Sequence, residues 1–255
     1  MNNKNEKTIR KEEQRRTTAG DKGLAWKERV PLFDNKSCSS CGTHGRENEG
    51  IRGSVRISRD AEDMLVKAKR KPYLTMTALY NEVGLSGYKG LKSKRELIRA
   101  GLADEVELPT NRRGRKKKLL QIMPKGREYL KALGITQGPR GRGGVKHIYY
   151  QRMLRDWYQA HGYTAEIEAT VGDTCLDVLI IRKDGTRLGI EIALSEQYEE
   201  VNAVKALGAG IERLLFVCES EKVMERIRRK VDSATQNQTK SRIGFKLVSD
   251  YFGND

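Results

Sequence analysis

From Thr136 to Gly144 the chain reads Thr-Gln-Gly-Pro-Arg-Gly-Arg-Gly-Gly, a run whose glycine, proline and arginine content cannot build a core. It divides the foldable sequence in two. Periodic apolar sequence begins near Ile57 and ends at about Ile135, and a second such stretch runs from Val145 to about Phe252. Ahead of both, residues 1–35 mix Lys, Arg and Glu without a sustained period, and residues 36–53 are rich in Ser, Gly and Asn. The expected organisation is a basic, largely flexible extension over 1–53, a first domain over 54–135, a linker over 136–144 and a second domain over 145–255. No internal repeat is present.

Charge decides the class of partner. Lys and Arg number 50 against 34 Asp and Glu, a formal net charge of +16 over 255 residues. Such an excess favours a polyanion, because clustered cations release counterions from phosphates. Nucleic acid leads, and a basic tail that only aids solubility is the alternative. No apolar run approaches the ~18 residues of a membrane span, and the start, MNNKNEKTIRKEEQRR, lacks the apolar core of a secretory signal. Four unevenly spaced cysteines do not suggest a disulfide framework, so the expected location is a reducing cytoplasm.

In the first stretch, Ser58 caps a helix in which Ala61, Met64, Leu65 and Ala68 recur at helical spacing, and Pro72 stops it. Thr75 or Thr77 opens a second helix with Leu79, Tyr80 and Val83 inward. Gly84-Leu85-Ser86 makes a sharp turn. A third helix, about Gly87 to Arg99, is expected to bury Leu91, Leu97 and Ile98 and to present Lys89, Lys92, Ser93, Lys94 and Arg95; Gly101 then serves as its C′ residue. Strands over Glu105–Leu108 and Leu119–Ile122 flank a hairpin tip with six cations between Arg112 and Lys118. Pro124 starts a closing helix.

In that order, Leu74–Leu102, Arg112–Lys118 and Pro124–Leu130 resemble the winged helix-turn-helix family, including MarR-type regulators. The resemblance implies a third helix in the DNA major groove and a wing on a neighbouring backbone or minor groove. Lys89, Lys92, Ser93 and Arg95 would then meet bases or phosphates, and Arg112, Arg113, Arg115 and Lys116 would meet phosphates. A winged helix used for protein contacts is the alternative.

The second stretch reads as a helix over His147–His161, with Ile148, Tyr149, Met153, Leu154 and Trp157 on its apolar side. Strands follow over Ala165–Ala169, Cys175–Ile181 and Arg187–Ala193, then a helix over about Tyr198–Leu207 and a buried strand over Arg213–Cys218. A basic helix, Lys222–Val231, and a short strand, Gly244–Val248, end it. Helix, three strands, helix and strand resemble the core of the PD-(D/E)XK, or restriction-endonuclease-like, superfamily, an α/β (α+β) fold with a mixed central sheet.

That resemblance implies an Asp on the second strand and a Glu on the third as ligands of Mg²⁺, with the Glu opening an E-x-K motif whose lysine stabilises charge. Asp177 and Glu191 match. Ala193 stands where the lysine belongs, and Lys205 on the next helix, with Asn202 beside it, is expected to supply the cation. Lys183 and Arg187 are weaker candidates. Register decides whether the pair can meet. A three-residue loop, Lys183-Asp184-Gly185, pairs Arg182 with Thr186 and puts Asp177 opposite Glu191 on one face; a two-residue turn puts them on opposite faces. Either a Mg²⁺-dependent DNA endonuclease or an inactive, DNA-binding regulator or adaptor is compatible with these residues.

A further likeness spans most of residues 55–218. Gly144-Val-Lys-His147, Gly162-Tyr163, Leu176-Asp-Val178, Ile190-Glu-Ile192 and the run Glu199, Asn202, Lys205, Leu207, Ala209, Gly210 are similar to the C-terminal region of HerA/FtsK-like ATPases of mobile elements. The chain has no Walker-type glycine-rich loop, so such an ATPase would be a separate partner. DNA and a second copy of the chain, as a homodimer, are the other expected partners; a membrane is not. Cys38-Ser-Ser-Cys41 resembles one knuckle of a Zn²⁺ ribbon, with His44 nearest by, and a plain surface loop or redox-sensitive pair is the alternative. Cys175 and Cys218 are expected in the core, His161 in a structural role, and His147 is a candidate to face the metal site.

Overall fold

Helix α1 (Arg59–Arg70) starts where the sequence supplies a cap: Ser58 is extended, and its hydroxyl accepts the Ala61 N–H. The structure, a computed structural model, describes residues 55–109, 116–136, 138, 143–195, 199–235 and 237–252 (backbone alone at 199, 200, 237 and 238), all within one unit of the chain. The expected stripe of α1, Ala61, Met64, Leu65 and Ala68, is buried. Helix α2 (Met76–Val83) ends at Gly84, whose φ of +72° lies in the left-handed region that favours glycine. Helix α3 (Gly87–Arg99) begins at Ser86, whose hydroxyl accepts the Lys89 N–H.

Strands β1 (Ala103–Glu107) and β2 (Lys118–Ile122) pair antiparallel, Glu105 with Leu120 and Glu107 with Lys118, and α4 (Pro124–Ala132) follows with its proline in the first turn. Thr75, just ahead of α2, bridges to Leu119 and adds a third edge to this hairpin. A one-residue bridge has no periodicity by which a sequence could announce it.

Lys94 of α3 and Lys118 of β2 both reach Glu105, at 2.6 and 3.4 Å, and tie the third helix to the hairpin. Burial works against the charge on Glu105, but the two ammonium groups outweigh it and hold the carboxyl below its ordinary value. A carboxylate with a depressed pKa stabilises the fold above the unfolded value, about 4.3, and that contribution is lost as pH falls through the lower, folded value. Glu105→Gln is therefore expected to cost about 1–3 kcal/mol at neutral pH, since removing one partner leaves half-buried charge unpaired. The difference from the parent should close in acid once Glu105 itself is protonated. Urea melts at neutral and acid pH read both arms.

The second half runs α5 (Val145–Ala160), β3 (Thr164–Val171), β4 (Thr174–Ile181), β5 (Arg187–Ala193), α6 (Glu199–Gly208), β6 (Arg213–Cys218), α7 (Glu221–Ala234), a four-residue α8 (Asn237–Lys240) and β7 (Ile243–Leu247). Strand order is β3-β4-β5-β6-β7, antiparallel as far as β5 and parallel beyond it. Parallel neighbours need a crossover, which α6 provides between β5 and β6. The architecture is mixed α/β with one mixed sheet. Tyr150, Leu154, Tyr158, Val178, Ile190 and Ile192 pack on the α5 side of this sheet; Leu179, Ala193, Ala203, Leu207, Phe216 and Ile227 pack on the α6–α7 side.

Two expectations are corrected here. The buried stripe of α5 is Tyr150, Gln151, Leu154 and Tyr158, while Ile148, Tyr149, Met153 and Trp157 are only half-buried. The tyrosine rings carry the burial, which their hydroxyls disguise in a count of apolar residues. Cys218 is buried as expected, but Cys175 is exposed near the start of β4.

The linker does not separate two cores. Successive residues of β2 point to opposite faces, so Leu120 packs with Met64 and Leu97 of the first half, while Leu119 and Leu108 are buried with Tyr150 and Leu154 of α5. One hairpin serves both halves.

Candidate nucleic-acid interface and the Asp177 centre

On α3 the inward stripe is Gly90, Ser93 and Leu97, three and four residues apart. Ser93 is 3 % exposed, so it does not belong to the presented face. The cause is Gly90, whose missing side chain lets the Tyr80 ring of α2 lie against the helix; a Cβ there would come within 2.4 Å of that ring. With position 90 turned inward, 93 and 97 follow. Lys94 is likewise half-buried, engaged with Glu105.

The outward stripe is Tyr88, Lys92, Arg95 and Arg99, at i, i+4, i+7 and i+11, with Lys89 exposed beside it. Tyr88 is 80 % exposed, and with Lys92, Arg95, Arg99 and Arg56 it lines an open concavity of about 670 Å³. The acid on this side, Glu96, lines the same concavity and is held by Ser58, accepting its N–H at 2.5 Å and its hydroxyl at 2.6 Å. Among the described residues no ion pair neutralises Lys92, Arg95 or Arg99. Sequence reasoning did not single out Tyr88, Arg99 or Arg56; the spacing 88, 92, 95, 99 is the signal that reveals the first two.

At the hairpin, Arg112, Arg113 and Arg115 lie outside the described residues. Lys116 is exposed and paired with Glu107 at 3.0 Å.

The β4–β5 loop takes the three-residue form. Arg182 donates its N–H to Thr186 and Gly185 is left-handed at φ +85°, so Ile181 pairs with Arg187 and Val178 with Ile190, and the count carries Asp177 to the position opposite Glu191. A kink then intervenes. Across from Asp177 on β3, Glu168 sits at φ +53°, uncommon for any residue but glycine, and the β3–β4 pairing lapses there. Residues two or four apart in a regular strand share a side, yet Ala165 and Ala169 pack in opposite cores, as do Leu176 and Val178.

The kink delivers the Asp177 carboxylate to α5. Its Oδ2 accepts the Ile192 N–H at 2.7 Å and lies 3.0 Å from His147 Nε2, and its Oδ1 accepts from Gln151 at 3.4 Å. Gln151 is 2 % exposed. Lys146, next to His147, meets Glu219 at 2.6 Å and so pins the start of α5 to the end of β6. With its proton on Nε2, His147 donates to Asp177; its Nδ1 and the Tyr150 hydroxyl are buried without a hydrogen-bond partner among the described residues.

On β5, Ile190 and Ile192 take the α5 side, so Glu191 alternates to the side of Ala193 and lies beside Phe216. The expectation of two carboxylates converging on one face is thus corrected: strand pairing aligns them, and the kink commits Asp177 to His147 and Gln151 instead. Lys205 is corrected too. Helix α6 turns Ala203, Ala206 and Leu207 inward, and Asn202 and Lys205 are exposed, because the small residues at 203 and 206 fit close to the sheet where a lysine would not. His161 is structural, its ring stacked on Trp157 with centroids 3.8 Å apart and its Nδ1 2.7 Å from the Trp157 carbonyl.

Among the described residues, no group of three or more His, Cys, Asp and Glu side chains is gathered to hold a metal. Cys38, Cys41 and His44 lie outside them. No described helix is long and apolar enough to cross a membrane. In comparison with known proteins, no family model, curated protein or solved structure matches the chain.

Proposed function

We propose that this protein binds duplex DNA through the outward face of α3 and the hairpin tip, as a winged helix-turn-helix does, and that its second half is a nuclease-like scaffold that binds without cleaving. The observation that carries the reading is the α3 stripe: Tyr88, Lys92, Arg95 and Arg99 stand exposed while the neighbouring acid, Glu96, is engaged by Ser58 rather than by any of these cations. Free cations repeating along one helix face match a phosphate backbone, and the net charge of +16 supports the same partner.

The residues around Asp177 do not fit the Mg²⁺ centre that the resemblance implies. Three donors already occupy the Asp177 carboxylate, which has about four lone-pair sites. Glu191 takes the other side of the sheet, the lysine position holds Ala193 at 2 % exposure, and Lys205 is turned to solvent. An adaptor role beside a separate HerA/FtsK-like ATPase rests on sequence likeness alone.

One assay on the full chain tests both halves of the proposal. Titration of a labelled duplex at increasing salt is expected to show affinity falling steeply, by about 0.9 in log–log slope for each phosphate neutralised. Incubation of supercoiled plasmid with Mg²⁺ or Mn²⁺ is expected to leave it intact. Salt-independent or undetectable duplex binding would reject the DNA reading. Nicking that disappears in Asp177→Ala would replace the binding scaffold by an endonuclease.

A further inference from the structure

A second concave surface, of about 550 Å³, lies where the start of β2, the α1–α2 loop, α5 and the chain's last described residues meet. Its walls are aromatic and cationic: Tyr73, Lys117, Tyr149, Arg152, Trp157 and Phe252. The Arg152 guanidinium lies 3.9 Å from the centroid of the Tyr73 ring, and the Lys117 ammonium stands 5.5 Å over Phe252. We propose that this groove takes one or two unpaired bases of a DNA strand that leaves the duplex held on α3. The proposal rests on the duplex-binding reading and extends it to the form of DNA preferred.

Three features favour that occupant. The first is the mixture of rings and cations, since unpaired bases stack on aromatic and guanidinium planes while the backbone seeks positive charge. The second is the state of Lys117. Its neighbours Lys116 and Lys118 face the other way and are engaged by Glu107 and Glu105, whereas Lys117 alternates to the groove side and makes no ion pair among the described residues. Its charge is therefore available to a phosphate. The third is continuity: Lys117 belongs to the cation run Arg112–Lys118 that the duplex-binding reading uses, so groove and proposed duplex contact adjoin in the chain. A volume of about 550 Å³ suits a ligand of one or two bases and is too small for a duplex. One acid borders the groove, Asp156, and its carboxylate is engaged by Arg155 at 2.6 Å.

The half-buried side of α5 acquires a purpose on this reading. Tyr149, Met153 and Trp157, which a count of apolar residues assigns to the core, pack against it on one side and line the groove on the other.

The test compares a blunt duplex with the same duplex carrying a six-thymidine tail, using the full chain and fluorescence anisotropy. The tailed probe should bind at least about fivefold more tightly, as stacking of a single base provides. Arg152→Ala should remove that increment and leave blunt-duplex affinity unchanged. In a Trp26→Phe background, which leaves Trp157 as the one tryptophan of the chain, the tailed probe should quench Trp157 emission more than the blunt one. Equal affinity for both probes with no extra quench overturns the groove proposal while duplex binding stands. A tail increment that appears only after residues 253–255 are deleted assigns the groove to the chain's own terminus and also overturns it. Failure to bind either probe removes the duplex reading first.

Discussion

Replacing Lys92, Arg95 and Arg99 together with alanine should lower affinity for duplex DNA by about 100-fold or more near physiological salt, since hydrogen bonds to charged groups are worth about 1.5–3 kcal/mol each. The log–log salt slope should shrink by about three, one for each phosphate no longer neutralised. All three side chains are exposed and unpaired among the described residues, so the thermal melt should not move. That separation of effects identifies the stripe as an interface. Ser93→Ala is the control within the same helix: the residue faces inward, and its replacement should leave the salt slope intact. An unchanged slope in the triple variant would take α3 out of the interface.

Gly126→Ala is expected to be the most damaging single methyl group in the fold. Gly126 is the third residue of α4, and a Cβ built there would stand 2.1 Å from the Leu102 carbonyl oxygen and 3.0 Å from its carbon. Both obstacles are backbone, so no side chain can rotate out of the way. The start of α4 would have to lift off the chain entering β1, breaking the hydrogen bond from Met123 N–H to the same Leu102 oxygen at 3.0 Å. Alanine's better helix propensity recovers only about 1 kcal/mol, against a strain expected at the upper end of overpacked sites, about 3 kcal/mol or more. The melting temperature should fall by roughly 4–8 °C or more. Gly208→Ala, at the end of α6 with nothing within 4 Å of a new Cβ, should be neutral or slightly stabilising. Equal melts for the two variants would show that α4 does not sit so close to Leu102.

Much of this fold is legible from residues alone. Ser58, Ser86 and Pro124 mark helix starts, and β5 and β6 keep the bounds that their apolar runs suggest. The β4–β5 loop is half legible: Gly185 announces a left-handed turn residue, but a two-residue Asp-Gly turn would use it as well, and only the pairing of Arg182 with Thr186 decides for the three-residue form. What escapes is of another kind. The inward turn of Ser93 depends on a ring from α2 lying against Gly90, a contact between segments rather than a pattern within one. The destination of Asp177 depends on a single backbone torsion at Glu168, on a different strand. Alternation assumes a regular strand, and the candidate centre lies where the strand is not regular. The shared hairpin escapes for the same reason: Leu119 and Leu120 both read as apolar, and only the fold assigns them to different cores.

That hairpin couples the two halves of the described chain. A tether of glycine and arginine would let the second half sample many places along a bound duplex. With Leu120 anchored in one core and Leu119 and Leu108 in the other, a change in the hairpin is felt in both halves. If the proposed duplex contact on α3 holds, the same hairpin sets where the Asp177 centre lies relative to it.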